Sequence, residues 1–298
     1  MPYVGRFAPS PTGPLHFGSL VAAVASYCDA GAHGGQWLLR MEDLDKPREV
    51  QGAADGILRT LEAFGFAWDA KIIYQSQRTE LYESALQTLK AKRLVYPCTC
   101  SRKEIADSAI ASGIEGAIYP KTCLNHALKT NIHAAYRALT LDENIVFLDG
   151  IQGEIIQNLA RDVGDFIFKR ADGLFAYQLA VVVDDAAQGV THVVRGADLL
   201  DSTPRQIYLQ RLLGYATPRY AHVPVASNAA GEKLSKQTLA KPIDMRPPEH
   251  ALFDALGFLG QQPPAEIKNA TLDEVWQWAI AHWRISNIPK QRAIIFRD

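Results

Sequence analysis

The sequence predicts an α/β protein in which an open parallel sheet binds a nucleotide and a smaller α+β domain is inserted. Three observations carry this prediction. An apolar strand leads through a Gly/Pro-rich turn, residues 11–19, into an Ala-rich helix. A second strand-like run ends in an acidic cluster, residues 42–45. From about Tyr96 the alternation of strands and helices gives way to cysteines and irregular sequence, and it resumes near Thr191.

The first strand covers residues 3–7, and residues 20–33 form the first helix. Between them lies the string Pro11-Thr12-Gly13-Pro14-Leu15-His16-Phe17-Gly18-Ser19. In open α/β sheets such a turn presents backbone N–H groups and a helix N-terminus to a phosphate. The second strand, Gln36–Met41, places the acidic cluster at its carboxyl end, which is where such sheets bind ligands.

The later elements follow from apolar spacing and turn residues. A hairpin is predicted over residues 166–178 and strands over residues 191–195 and 220–226. A helix begins near Ser202 and ends at Gly214. Four further segments carry helical spacing: Ile57, Leu58, Leu61 and Phe64; Leu81, Ala85, Leu86 and Leu89; Leu252, Leu256 and Leu259; and Val275, Trp276, Ile280 and Trp283.

These patterns divide the chain into three parts. Residues 1–95 and 186–240 form the nucleotide-binding catalytic domain, and residues 96–185 form the inserted domain. Residues 241–298 form a helical C-terminal segment.

The composition is typical of a globular protein. Of 298 residues, 48% are hydrophobic, and the formal net charge is −1, so contacts to nucleic acid must rest on local basic patches. No run approaches the ~18 apolar residues of a membrane span. The N-terminal residues lack the charged and apolar regions of a signal peptide. We therefore expect a cytoplasmic protein without a membrane partner.

Two short motifs indicate ATP chemistry. His16-Phe17-Gly18-Ser19 begins a helix, and the string Lys233-Leu234-Ser235-Lys236-Gln237 lies more than 200 residues further on. A histidine at a helix N-terminus can donate to phosphate oxygens, and a lysine ammonium can stabilise developing phosphate charge. Taken singly, these residues could equally be a turn histidine and solvated lysines.

Together, the motifs resemble the HIGH and KMSKS motifs of class I aminoacyl-tRNA synthetases, in the expected order. The resemblance implies a Rossmann-type sheet that binds ATP with Mg²⁺. His16 and Lys236 are then the catalytic residues. The ATP-binding residues are Gly13, His16, Gly18, Lys233 and Lys236.

Unusual polar residues at strand ends indicate an amino-acid substrate. Arg6 interrupts the first strand and Arg195 ends another, and a buried arginine at such a position needs a partner such as a carboxylate. Glu42 can hold an α-ammonium group. A structural salt bridge, for instance between Arg40 and Asp43, is the alternative interpretation.

Four segments resemble the catalytic core of bacterial glutamyl-tRNA synthetases over about residues 1–240. They are residues 6–13, 40–43, 177–185 and 195–198. The resemblance implies that Arg6 and Arg195 face glutamate, that Glu42 holds its amino group and that Tyr177 lines the pocket. The implied glutamate-binding set is Arg6, Phe7, Ala8, Pro9, Ser10, Glu42, Tyr177 and Arg195.

The number of residues after the second motif indicates which kind of glutamyl-tRNA synthetase the sequence resembles. About 60 residues follow Gln237, too few for a helical anticodon-binding domain. This short form resembles the glutamyl-queuosine tRNA(Asp) synthetases. The resemblance implies activation of L-glutamate with ATP, followed by transfer to the queuosine base in the anticodon of tRNA(Asp). Two alternatives remain: a glutamyl-tRNA synthetase core charging a tRNA 3′ end, and an inactive paralogue that serves as a binding protein.

Three clustered cysteines indicate one structural zinc site. Cys98, Cys100 and Cys123 supply three thiolates, and tetrahedral zinc needs a fourth ligand. His126 has the usual Cys-x-x-His spacing, and His133 is a further candidate. The resemblance to the glutamyl-queuosine family instead implies Tyr119 as the fourth ligand. Three thiols without a metal are the alternative.

Overall fold

The structure is a computed structural model that describes residues 2–109, 112–114, 116–130, 132–228, 243 and 247–296. Five parallel strands build its central layer. Strands β1 (Val4–Phe7), β2 (Gln36–Met41) and β3 (Asp69–Tyr74) pair in that order. Strands β11 (His192–Gly196) and β12 (Arg219–Val223) form a second parallel pair. Thr191 joins the two units, because it exchanges hydrogen bonds of 2.8–2.9 Å with Val4 of β1.

Helices cover both faces of this sheet. The helices that accompany the strands of the central layer are α1 (Phe17–Ala32), α2 (Ala53–Ala63), α3 (Thr79–Ala91), α7 (Tyr177–Ala187) and α8 (Thr203–Leu213). Two C-terminal helices, α9 (Pro248–Phe258) and α10 (Leu272–His282), pack with α1 and α2 in one apolar core. Helices α3, α7 and α8 form a second core on the other side. Burial of these apolar faces is the main favourable contribution to folding.

Antiparallel structure occupies most of the sequence between β3 and β11. Strand β7 (Ala135–Ala138) pairs with β4 (Val95–Cys98) and with β10 (Ile167–Lys169). Strands β8 (Asn144–Asp149) and β9 (Gly153–Asn158) form a hairpin. The short elements here are α4 (Arg102–Ser108), β5 (Ser112–Gly113), β6 (Gly116–Ala117), α5 (Thr122–Asn125) and α6 (Leu159–Asp162). The domain boundaries stay a prediction.

The hairpin predicted over residues 166–178 is partly wrong. Beyond β10, a single antiparallel bridge joins Lys169 and Phe175, and Tyr177 already begins α7. Residues 178–185 of α7 are all buried. A helix that is buried on every side shows no apolar stripe, so apolar spacing did not reveal α7.

Two other boundaries differ from the prediction. The first helix begins at Phe17, because His16 is its N-cap. The strand predicted over residues 220–226 is divided at Pro224 into β12 and β13 (Val225–Ser227), and β13 pairs in parallel with β14 (Ala293–Ile295). Proline has no N–H to donate to a strand ladder, which accounts for the break. Gly214 ends α8 as predicted, with a φ of 76°.

The C-terminal helices are anchored by two indole N–H groups. Trp276 donates to the Phe64 carbonyl at 2.9 Å, and Trp283 donates to the buried Asp29 carboxylate at 2.9 Å. In the part of the chain that the structure describes, no helix is long and apolar enough to span a membrane.

Candidate active site

A cavity of about 660 Å³ lies at the carboxyl ends of β1, β2, β11 and β12. Ligands bind at this edge of open α/β sheets. Ten predicted site residues line it: Arg6, Phe7, Ala8, Pro9, Ser10, His16, Gly18, Glu42, Tyr177 and Arg195. Gly13 is not among the lining residues. Lys233 and Lys236 lie outside the described residues.

The turn before α1 has features of an anion-binding site. Gly13 has a φ of 133°, a conformation that side-chain-bearing residues rarely adopt. His16 caps α1, and its Nδ1 accepts the backbone N–H of Ser19 at 3.3 Å. In the neutral ring, Nε2 therefore carries the proton and is the donor. A proton donor stands beside the positive end of a helix dipole, which suits a phosphate ligand.

Arg6 has a protein carboxylate as its partner. Its Nε and Nη2 donate to the two oxygens of Asp185 on α7, at 3.3 and 3.5 Å. The sequence predicts a substrate carboxylate as the partner of this arginine and misses Asp185. Because Asp185 occupies one edge of the guanidinium, Arg6 is held in a fixed orientation at the cavity wall.

The same carboxylate binds a second arginine, which in turn contacts Glu42. Arg40 is completely buried and donates to Asp185 at 2.8 Å and to Glu42 at 3.3 Å. The alternative pairing of Arg40 with Asp43 is wrong, because Asp43 accepts from the backbone N–H and hydroxyl of Ser76. Arg40 also donates from Nη1 to the side-chain oxygen of Gln188 at 2.7 Å, and the arginine fixed in this way holds Glu42 at the cavity edge.

Burial raises the pKa of Glu42 above its usual range, although Arg40 and Arg6 oppose the shift. For Asp185 the balance is reversed. Burial would raise its pKa, but the two arginines hold that pKa below the usual range. An ionised Glu42 therefore lacks enough positive charge around it, and a cationic ligand group would supply that charge.

Arg195 is held from several directions. Its Nε donates to Nε2 of His222 at 3.0 Å, and its Nη1 donates to the Tyr177 hydroxyl at 3.2 Å. Nη2 donates to Thr203 at 2.9 Å and to Gln206 at 2.8 Å. Within the described part of the chain, these acceptors leave one N–H of Nη1 for a ligand.

A separate cluster of sulfur atoms lies between β4 and α5. The Sγ atoms of Cys98, Cys100 and Cys123 all lie within 4.8 Å of one another. The Tyr119 hydroxyl lies 3.3 Å from Cys98 Sγ and 3.5 Å from Cys100 Sγ. Bond lengths of about 2.3 Å to sulfur and about 2.0 Å to oxygen give tetrahedron edges of roughly 3.5–3.8 Å. The two distances from Tyr119 and the 3.4 Å between the Sγ atoms of Cys100 and Cys123 are close to these edges, so the cluster has the size of a tetrahedral metal site.

The two histidines that were alternatives for the fourth ligand do not lie close to the three sulfur atoms in the part of the chain that the structure describes. His126 and His133 are both exposed. Among the described residues, no histidine nitrogen joins the sulfur group. The thiols are also free of disulfides. The geometry therefore favours Tyr119 over either histidine as the fourth donor.

Comparison with known proteins decides the family. A model of the class I tRNA synthetases (E and Q), catalytic domain, matches residues 3–278. The glutamyl-Q tRNA(Asp) synthetase of Aromatoleum aromaticum is 57% identical over 97% of this chain and 91% of that protein. The protein of the same name from Dechloromonas aromatica is 57% identical over 99% of this chain and 98% of its own length. The chain belongs to the glutamyl-Q tRNA(Asp) synthetase family.

Solved structures confirm the class I synthetase fold, whereas the inserted zinc-containing domain stays a prediction. A glutamate-tRNA synthetase from Elizabethkingia anophelis matches with a TM-score of 0.80 and 24% identity, covering 100% of this chain and 68% of that one. A glutamate tRNA ligase from Elizabethkingia meningosepticum, in complex with its amino acid, matches equally with a TM-score of 0.80 and 24% identity, covering 100% and 67%. At this identity the likeness shows the fold alone, which is that of class I glutamyl-tRNA synthetases.

Sequence reasoning missed the partners of the two arginines in this glutamyl-Q family site. Asp185 lies within the segment 177–185 that resembles the family, but the resemblance implies no role for it, and no sequence pattern points to His222. The signal for Asp185 was a pair of carboxylates in an otherwise apolar segment, since a buried charge needs a partner. Its neighbour Asp184 binds Gln75, Arg78 and Tyr82, which ties α7 to α3 instead.

Proposed function

We propose that this protein activates L-glutamate with ATP and transfers the glutamyl group to the queuosine base in the anticodon of tRNA(Asp). One observation carries the proposal: a single cavity is lined by the helix-capping His16, by Arg6 and Arg195, and by Glu42. These are the groups that a nucleotide and an acidic amino acid require. The near-full-length relatives named for this activity support the RNA substrate. A cytoplasmic location follows from such substrates.

Glutamate binding follows from charge. The α-ammonium group pairs with Glu42, and the carboxylates face Arg6 and Arg195. Phe7, Ala8, Pro9 and Ser10 form the wall between the two charged ends, with Tyr177 opposite. Fixed arginines lose little entropy on binding, because Asp185 and His222 already hold them.

Adenylate formation is then a displacement at phosphorus. A substrate carboxylate oxygen attacks the α-phosphorus of ATP, the bond to the bridging oxygen breaks, and pyrophosphate leaves with the electron pair. His16 donates from Nε2 to a phosphate oxygen, and the N-terminus of α1 adds its dipole. Lys236, assisted by Lys233, stabilises the charge on the leaving group, and Gly13 and Gly18 allow close approach. Mg²⁺ bound with ATP would neutralise part of the phosphate charge.

Transfer of the glutamyl group needs a nucleophile from the RNA. A queuosine hydroxyl attacks the glutamyl carbonyl carbon, the bond to the phosphate oxygen breaks, and AMP leaves. The cavity opens at a sheet edge, so a base in an anticodon loop can reach it more readily than a base within a helix.

We further propose one structural zinc ion held by Cys98, Cys100, Cys123 and Tyr119. Three thiolates and one phenolate would complete a tetrahedral set and leave no open position for water, so the ion would be structural. It would stabilise the junction of β4 and α5, far in sequence from the residues that line the cavity.

The test uses a tRNA(Asp) anticodon stem-loop in two forms, one with queuosine and one with guanosine. We expect the queuosine form to accept labelled glutamate and the guanosine form not to. Periodate oxidation of the queuosine diol should abolish labelling, whereas a selective block of the 3′ end should not. Equal charging of the guanosine form, or charging of intact tRNA(Glu) alone, would overturn the proposal in favour of an ordinary glutamyl-tRNA synthetase core. A wild type that neither charges RNA nor exchanges pyrophosphate would indicate a binding protein.

A further inference from the structure

A buried chain of hydrogen bonds runs from the β8–β9 hairpin to the guanidinium of Arg195. Asp149, at the end of β8, accepts from Nδ1 of His222 at 2.6 Å. His222, on β12, accepts from Nε of Arg195 at 3.0 Å. The side chains of Asp149 and His222 have no solvent exposure. None of the described residues that line the cavity belongs to the hairpin, and this chain connects the hairpin to Arg195 at the cavity wall.

The donor and acceptor roles in this chain are determined by chemistry. Arginine has only donors, so Nε2 of His222 must be the acceptor and the ring proton must lie on Nδ1. That proton is donated to Asp149. Burial and the nearby Arg195 lower the pKa of His222 to about 4, although Asp149 opposes the shift, so the ring is neutral near pH 7. Asp149 therefore acts on the tautomer of His222 and not through its charge alone.

The two oxygens of Asp149 have separate functions. Oδ1 accepts three backbone N–H groups, those of Ile151 at 3.0 Å, Gln152 at 2.9 Å and His222 at 3.1 Å. Oδ2 faces the imidazole ring. An amide at this position must therefore keep its oxygen at Oδ1 and present its NH₂ to Nδ1 of His222. That arrangement would move the ring proton to Nε2, where it would oppose the N–H of Arg195.

We propose that Asp149 and His222 are positioning residues that hold Arg195 for the substrate carboxylate by selecting the Nδ1–H tautomer of His222. The proposal rests on the assignment of Arg195 to glutamate binding. Neither residue lines the cavity, so both act through the arginine. A guanidinium held by an acceptor on Nε keeps its Nη1 group directed towards the ligand, whereas a facing donor would force it to rotate.

The decisive variant is Asp149→Asn, which preserves size. In ATP–pyrophosphate exchange, we expect KM for glutamate to rise at least about tenfold, while KM for ATP changes by less than about twofold. Nitrogen-15 NMR of the histidine rings should report proton transfer from Nδ1 to Nε2 of His222 in this variant. Asp165→Asn is the matched control, because Asp165 is equally buried but binds Tyr96 and Thr140. It should leave both KM values within about twofold.

Further variants separate the possible failures. Arg195→Lys should raise KM for glutamate; if it does not, the assigned role of Arg195 fails and the NMR result alone decides the tautomer. His222→Asn removes the acceptor for Arg195, so it should raise KM for glutamate as much as Asp149→Asn does. Thermal melting checks that the variant is folded. In the double variant, Asp149→Asn should add little to the rise in KM for glutamate caused by Arg195→Lys, because both substitutions act on one interaction.

A switched tautomer with unchanged KM for glutamate, or an equal rise in KM for ATP, would overturn the proposal. So would an unswitched tautomer together with an unchanged KM in His222→Asn.

Discussion

The guanidinium of Arg40 lies 2.8 Å from the carboxylate of Asp185, and both side chains are almost completely buried. Asp185 also binds Arg6, so one carboxylate on α7 pairs with arginines on the neighbouring strands β1 and β2. The ion cluster connects the helix to the sheet directly below the cavity. Charges in such a place are stable only as a complete set, because each one has lost its contact with water.

Asp185→Asn should therefore destabilise the fold strongly. Removal of one partner from a buried ion pair typically costs about 3–5 kcal/mol, and here two arginines lose their partner. Urea denaturation measures the free energy of unfolding. The control is Asp172→Asn, which breaks the exposed pair with Arg170 and should cost less than about 1 kcal/mol. Equal losses in the two variants would contradict this account of the cluster.

The same cluster predicts a pH dependence. The pKa of Asp185 is lower in the folded protein than in the unfolded chain, where it is about 3.9. Its contribution to stability is therefore present above pH ~4 and is lost as pH falls further, through the folded pKa. The difference in unfolding free energy between wild type and Asp185→Asn should shrink in that range. A difference that stays constant down to acid pH would contradict the predicted sign.

Glutamate binding should depend on pH through Glu42, whose pKa is raised whereas that of Asp185 is lowered. Burial raises the pKa of this group, so the protonated form, which cannot pair with an ammonium group, persists to a higher pH than in an exposed glutamate. We expect KM for glutamate to fall as pH rises through this raised pKa, while KM for ATP stays constant. Glu42→Gln should raise KM and remove the pH dependence. ATP–pyrophosphate exchange measured between about pH 5 and 7 provides the test.

Local motifs explain why most of the cavity could be predicted. Residues 6–10, His16 and Glu42 lie at the ends of elements whose strand and helix patterns are visible in the sequence. The carboxyl ends of parallel strands meet at one edge, so these residues had to converge. Arg195 ends a predicted strand, Tyr177 follows from the family resemblance, and both residues line the same cavity.

The supporting contacts could not be predicted, because they join residues far apart in the sequence. Asp185 reaches Arg6 across 179 positions, and His222 reaches Asp149 across 73. No spacing rule connects such pairs. The fourth metal donor shows the same limit of spacing rules: the usual Cys-x-x-His spacing indicates His126, but that residue is exposed. Only the family resemblance pointed to Tyr119.

Lys236→Ala should slow adenylate formation by at least about tenfold, which corresponds to roughly 1.4 kcal/mol of transition-state stabilisation. The prediction comes from the Lys233-to-Gln237 motif, which lies outside the described residues. Single-turnover formation of glutamyl-adenylate is the measurement. Lys241→Ala is the control, since it removes a neighbouring lysine outside the motif. An unchanged rate in Lys236→Ala would remove this residue from the catalytic set.

The sulfur cluster yields the last prediction. Cys98→Ser should release about one equivalent of zinc and loosen the surrounding region first, because a structural metal contributes folding energy locally. Elemental analysis and limited proteolysis measure the two effects. Cys28→Ala is the control, because that buried thiol lies in α1, outside the cluster, and its loss should leave the metal content unchanged. A wild type purified without zinc would reject the site.

Two more variants distinguish the fourth donor. Tyr119→Phe removes only the hydroxyl that lies 3.3 and 3.5 Å from the two sulfur atoms, so it should weaken zinc retention against a chelator. His126→Ala should retain the metal, because that imidazole is exposed and outside the sulfur group. The reverse pattern, with zinc kept by Tyr119→Phe and lost from His126→Ala, would assign the fourth position to histidine. Such a result would also require α5 to rearrange around the ion, since His126 follows directly after that helix.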